Sequence, residues 1–144
     1  GGRILCGGKR IPGPGLFFEP TIIECPRQDM TIVDTELFGP VLAVQRFTTE
    51  AEAIELANDT KHGLAAGLFT RDGARQIRMA KKLKSGMVWV NTYRMISPIA
   101  EFGGVKTSGH GREAGLQAMY DYTRAKTIWI NLSDEPIANP FQPR

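Results

Sequence analysis

The sequence predicts an α/β domain in which helices pack on a largely parallel sheet, and three observations carry that prediction. Short apolar runs alternate along the chain with stretches of helical periodicity, the pattern of successive strand–helix units. The run Val41-Leu42-Ala43-Val44-Gln45-Arg46-Phe47 is almost continuously apolar, as expected of a strand covered on both faces. Helix starts are also explicit. Thr49 followed three residues later by Glu52 is a capping box, and Asp72 is a side-chain N-cap for the next helix.

Taken in order, Arg3-Ile4-Leu5-Cys6 reads as a strand ended by Gly7-Gly8 and the turn-rich Ile11-Pro12-Gly13-Pro14-Gly15. A second apolar segment covers 17–25 and stops at Pro26. After the strand at 41–47, the helix started by Thr49 should bury Ala51, Ile54 and Ala57. Residues 64–70 form the next strand. The helix behind Asp72 repeats Ile77, Ala80 and Leu83 at helical spacing and has Gly86 just beyond its end. Lys81, Lys82 and Lys84 gather at its C-terminus, where cations complement the macrodipole. A strand at 87–91, a loop at 97–111 and a helix at 112–122 with Leu116, Met119 and Tyr120 inward follow. Lys126-Thr127-Ile128-Trp129-Ile130-Asn131 alternates like a last strand, and Pro136, Pro140 and Pro143 mark a tail with no reason to fold. No internal repeat is visible.

A length of 144 residues suits one domain and is enough to bury roughly 70% of the unfolded surface. Hydrophobic content of 42% with 23% charged residues is ordinary for a globular chain, and the net charge of +3 is small. The lysine patch lacks interleaved stacking aromatics, which argues against nucleic acid as a partner. No apolar run reaches the ~20 residues a membrane span needs, and there is no signal-peptide pattern. The absent initiator methionine suits an excised segment. Two cysteines make no disulfide framework, so a reducing, cytoplasmic setting is expected.

Two motifs carry chemistry. In Glu36-Leu37-Phe38-Gly39-Pro40-Val41 a carboxylate and an aromatic ring stand beside a Gly-Pro turn that opens a strand. A carboxylate accepts two hydrogen bonds and so can hold both hydroxyls of a ribose. Read structurally, the same residues are a solvated turn and a core ring. The second motif is Glu101-Phe102-Gly103-Gly104-Val105-Lys106-Thr107-Ser108-Gly109-His110-Gly111-Arg112-Glu113, preceded by Met87-Val88-Trp89-Val90-Asn91. Its glycines imitate nucleotide motifs only in part. From Gly104 to Gly109 the spacing is that of a phosphate-binding loop, but His110-Gly111 replaces the Lys-Ser/Thr pair that contacts phosphate and magnesium. Gly109-x-Gly111-x-x-Ala114 lacks the preceding strand of a dinucleotide fingerprint. His62 and His110 are isolated, and no Cys/His/carboxylate spacing suggests a metal.

In this order and with these neighbours, the two motifs resemble the C-terminal part of an NAD(P)-dependent aldehyde dehydrogenase, from residue 1 to about residue 131. The resemblance implies a three-layer α/β/α sandwich. It assigns residues 1–125 to the catalytic domain and 126–144 to an oligomerisation strand plus tail. It makes Glu36 the ligand of the nicotinamide ribose, Phe38 a ring beside the nicotinamide, and Phe102 a wall of the substrate funnel, with Tyr93 and Ile96 as weaker candidates for that wall. Asn91 reads as a turn-former. Glu101 stands where many relatives have proline, and a carboxylate there favours a cationic aldehyde or simply faces solvent.

Family chemistry needs a thiolate that attacks the aldehyde, a hydride that passes to the nicotinamide, and water that hydrolyses the thioester. Neither Cys6, in an apolar strand, nor Cys25, before Pro26, has the nucleophile's context. The reactive cysteine, the general base and the dinucleotide fold are therefore expected upstream, so this chain supplies no catalytic residue and is inactive alone. The partners expected are a small aldehyde, NAD or NADP, and further copies of the subunit joined through residues 126–131. Two other readings use the same residues: a stand-alone assembly module without chemistry, and a small nucleotide-binding protein resting on the glycine loop.

Overall fold

The structure, a computed structural model, describes residues 1–135, 139 and 141. Strands β1 (Arg3–Cys6), β2 (Thr21–Glu24) and β3 (Val41–Val44) form one sheet in the order β1-β2-β3, and β4 (Ala65–Leu68) and β5 (Met87–Val90) form a second. The β2–β3 and β4–β5 pairs are parallel and β1–β2 is antiparallel. Helices α1 (Thr31–Asp34), α2 (Glu50–Asn58), α3 (Gly73–Lys82) and α4 (Gly115–Asp121) stand between and after them, with a 3-10 turn at Lys106–Ser108. The α/β class and the parallel pairing agree with the sequence. Among the described residues, however, the strands make two short sheets.

Local chemistry explains the joints. The segments read separately at 3–6 and 17–25 are one hairpin, extended by an Arg10–Phe18 bridge, with Ile11 N–H donating to Phe17 O and Glu19 N–H to Lys9 O at 3.0 Å each. Thr21 is its buried polar pin: Oγ1 accepts from Gly8 N–H and donates to Glu19 O, both at 2.8 Å. The capping box is real but displaced by one residue. Thr49 Oγ1 accepts from Glu52 N–H, while Glu52 Oε2 reaches past Thr49 to accept from the backbone N–H and hydroxyl of Thr48, each at 2.7 Å. Those bonds lower the Glu52 carboxyl below its usual value. Asp72 caps α3 as expected, accepting from Arg75 N–H.

Several expectations need correcting. On α2 the partly buried side is Ala53, Ile54 and Leu56; Ala51 and Ala57 are exposed. On α3, Ile77 is exposed, and Gln76, Met79, Ala80 and Leu83 turn inward. Gly86 does not stop α3, whose C-cap is Leu83 in extended conformation. It is instead a point of close approach, since a Cβ there would collide with the Gly103 carbonyl.

Helix α4 starts at Gly115 rather than 112, because residues 112–114 close the glycine loop: Glu113 pairs with Phe102, and Ala114 takes φ 57°. Its Leu116, Met119 and Tyr120 are exposed, as is Leu42 of β3. Residues 126–131 are not a strand here. A strand requires a paired ladder, and none of residues 124–132 makes a backbone hydrogen bond with a described residue. Pro136, Pro140 and Pro143 lie outside the described residues.

The core is small. Cys25, Met30 and Leu68 are its buried apolar members. The chain exposes 12048 Å², whereas a compact monomer of 15.9 kDa would expose about 7,400 Å². Roughly half of the extended-chain surface is buried, well short of the expected 70%.

Candidate functional site

Two loops present Glu36, Phe38, Glu101 and Phe102. The first follows α1, which the sequence reading missed because a single turn carries no periodicity to detect. Met30 O accepts from the N–H groups of Val33 (2.8 Å) and Asp34 (3.1 Å), and Thr35 N–H closes the turn on Thr31 O at 2.9 Å. The chain then runs out through Glu36 to Phe38. Glu36 is exposed and makes no hydrogen bond or ion pair with a described residue. Phe38 holds φ at 50° with its side chain in solvent, 93% exposed. For a bulky aromatic this backbone region is a true outlier, costing on the order of 1–3 kcal/mol, and such outliers concentrate at functional sites.

The second is the glycine loop, tied at its base by Phe102 and Glu113, each of which donates its N–H to the other's carbonyl (2.7 and 2.6 Å). Inside the loop the Arg112 guanidinium donates to Gly104 O at 2.7 Å and Gly111 O at 2.9 Å. Phe102 is half-buried at that base. Glu101, just outside, is exposed, and its Cγ lies 2.6 Å from where a Cβ on Gly115 would stand, so only glycine fits at the start of α4.

Tyr93 is engaged rather than free. Its ring meets Trp89 edge-on at 5.1 Å, has the Arg94 guanidinium 5.8 Å from its centroid, and lies across Gly67 of β4. Trp89 Nε1 donates to Met95 O at 2.9 Å, folding the 91–96 loop back on β5. Ile96 remains exposed. Asn91 is the turn-former expected: at φ 54°, its Oδ1 accepts from Thr70 N–H (2.8 Å) and its Nδ2 donates to Thr70 O (2.9 Å).

The turn at 58–62 joins the two loops, and nothing in its composition announced that role. Lys106 Nζ donates to Asn58 O and Thr60 O at 2.9 Å each, and Thr107 donates its N–H (3.1 Å) and hydroxyl (2.6 Å) to Lys61 O. Gly63 N–H donates to Ser108 Oγ at 2.9 Å. On the other side, Lys61 Nζ pairs with Asp34 Oδ2 at 2.9 Å, two residues before Glu36. Gln28 Nε2 donates to Asp59 O.

A cleft of about 500 Å³ lies elsewhere, between α2, α3 and β4, walled by Phe47, Ala53, Leu68, Met79 and Leu83. It contains none of Glu36, Phe38, Tyr93, Glu101 or Phe102. Its one carboxylate, Glu50, is occupied by Arg78 at 2.6 Å and Arg75 at 3.1 Å. The Arg78 hydrogen bond, opposed by partial desolvation and assisted by Arg75, holds the Glu50 carboxyl down at about 2. Size alone does not make this seam the site.

Cys25 is buried and its thiol donates to Ile23 O at 3.6 Å; Cys6 is exposed in β1. Among the described residues no cluster of three His, Cys, Asp or Glu could hold a metal, and no helix is long and apolar enough to cross a membrane.

One α/β scaffold thus carries both loops, the first exposing Glu36 and Phe38 and the second closed at its base by Phe102 and Glu113. The aldehyde dehydrogenase family model matches residues 1–128, and the chain belongs to that family. It is 51% identical over 142 residues to (Z)-2-((N-methylformamido)methylene)-5-hydroxybutyrolactone dehydrogenase of Acinetobacter baylyi, covering 98% of this chain and 29% of that protein. A betaine aldehyde dehydrogenase of Cereibacter sphaeroides is 43% identical over 141 residues, again 98% of this chain and 29% of the relative.

In three dimensions the chain matches betaine aldehyde dehydrogenase of Staphylococcus aureus in complex with NAD+ at TM-score 0.89 and 44% identity, over 95% of this chain and 29% of that one. The indole-3-acetaldehyde dehydrogenase of P. syringae in complex with NAD+ and IAA matches at 0.85 and 44% identity, over 91% of this chain and 27% of that one. The expected aldehyde dehydrogenase-like fold is thereby borne out. The chain spans under a third of the length of each of these relatives.

Proposed function

We propose that this chain is the C-terminal part of the catalytic domain of an NAD(P)-dependent aldehyde dehydrogenase, supplying the cofactor's ribose contact and one wall of the substrate funnel. The Glu36–Phe38 loop carries the reading. A carboxylate whose oxygens are engaged by no described residue fits a ribose diol, and an aromatic ring held in solvent at φ 50° fits a flat heteroaromatic face. When bound, the nicotinamide supplies the hydride acceptor.

Glu36 holds and orients the ribose, and Phe38 limits where the attached ring can lie. Phe102 and Tyr93 wall the aldehyde's approach, and Glu101 adds a negative charge at its mouth that favours a cationic aldehyde. Neither Cys6 nor Cys25 acts as nucleophile, and both remain thiols in a reducing, cytoplasmic compartment. The cysteine, the general base and the dinucleotide fold come from the remainder of a longer polypeptide, whose subunits associate through residues 126–131.

The test is Glu36→Gln in the full-length enzyme. Misplacing a reacting group by about 1 Å can cost on the order of 10²-fold in rate, so single-turnover hydride transfer should slow by more than cofactor affinity weakens. An unchanged single-turnover rate refutes the assigned role. The isolated chain should yield no NADH from propanal; activity that disappears on mutating Cys6 or Cys25 would overturn the reading that the nucleophile lies elsewhere.

A further inference from the structure

Among the described residues, the Asp34–Lys61 ion pair is the one side-chain polar contact between the helical turn that launches Glu36 and the turn that anchors the glycine loop. Both partners are about half exposed, at 50% for Lys61 and 54% for Asp34, so the pair adds little to global stability. Its position is what matters. Lys61 is fixed from behind, because its carbonyl accepts both Thr107 bonds and the preceding Thr60 carbonyl accepts from Lys106. Asp34 is the last residue of α1, and among the described residues no hydrogen bond or ion pair joins a side chain of Thr35, Glu36, Leu37 or Phe38 to the rest of the chain.

We propose that Lys61 is a positioning residue for the cofactor: by pairing with Asp34 it holds the Glu36–Phe38 loop in register with the glycine loop that carries Phe102. The inference rests on the ribose-holding role of Glu36 and adds to it a residue in contact with neither cofactor nor substrate. The pair spans 27 residues of sequence, so it fixes a relation that local structure does not. An exposed pair is worth about 0.2–1 kcal/mol, a factor of about 1.4 to 5 in the population of a displaced loop.

The experiment uses the full-length enzyme, with hydrogen exchange of the amides at 33–35, which close the α1 turn, measured without cofactor and hydride transfer measured in a single turnover. Lys61→Met and Asp34→Asn should each speed exchange at 33–35 by about 1.4- to 5-fold, with exchange across β4 and β5 unchanged. Each should slow hydride transfer while the KM for aldehyde stays constant. The double variant should be no worse than either single one, and the swapped pair Asp34→Lys/Lys61→Asp should recover both readouts. Additive single effects, or wild-type exchange at 33–35 in Lys61→Met, overturn the tether. Faster exchange alongside unimpaired hydride transfer in Glu36→Gln overturns the ribose reading instead, and takes the cofactor role of Lys61 with it.

Discussion

Asn91 shows how one side chain can set the geometry of two strands. Its backbone lies in the left-handed region at φ 54°, which asparagine tolerates better than most residues, and its amide clamps both polar groups of Thr70. The ends of β4 and β5 are thereby held together just before the loop that carries Tyr93. Two effects are separable by substitution. Asn91→Gly removes both hydrogen bonds and relieves the backbone; Asn91→Ala removes them and adds strain. With a net ~0.5–1.5 kcal/mol per hydrogen bond and ~1–2 kcal/mol for a left-handed L-residue, alanine should lower the thermal midpoint of the full-length enzyme more than glycine does. Equal shifts in scanning calorimetry would show that strain at this position contributes nothing.

At the scale of elements, helix starts were legible because capping is local: Thr49 and Asp72 act on backbone N–H groups three residues away, and sequence spacing fixes that relation. Inward faces were less legible. Of the expected Ala51, Ile54 and Ala57 stripe only Ile54 is on the partly buried side, joined by Ala53 and Leu56, because three alanines spread round α2 leave the apolar direction poorly defined. Elements that exist only through distant partners were not legible at all. The Arg10–Phe18 arm, the turn at 58–62 and the Glu50–Arg78 tie between α2 and α3 depend on which segments meet. The same division runs through the site. Glu36, Phe38 and Phe102 stood out by their neighbours in sequence, whereas Lys61 has no local signature, and only its partner 27 residues away reveals it.

For the molecule as a whole, the excess of exposed surface decides how the C-terminal segment should behave. Against about 7,400 Å² for a compact monomer of this mass, the chain exposes 12048 Å², and much of that excess is apolar. Leu116, Met119 and Tyr120 of α4, then Ile128, Trp129, Ile130 and Leu132, are all more than 60% exposed. In 126–131, Thr127, Trp129 and Asn131 alternate with Ile128 and Ile130, so an extended conformation places Trp129 on one face and both isoleucines on the other. Its backbone donors and acceptors have no partner among the described residues, and an unpaired apolar edge of this kind associates unless something covers it.

Pairing with a neighbouring subunit would satisfy the ladder and cover Trp129 in one step. Deleting residues from 126 onward should therefore make the full-length enzyme dissociate or aggregate. Deleting only the residues after Asp134 should do little, because that cut leaves residues 126–131 in place. Both truncations shorten the same terminus, so a general intolerance of C-terminal loss predicts equal damage, whereas an assembly strand predicts a contrast. Sedimentation velocity separates the two, and retention of the native oligomer by the shorter variant would exclude residues 126–131 as an assembly element.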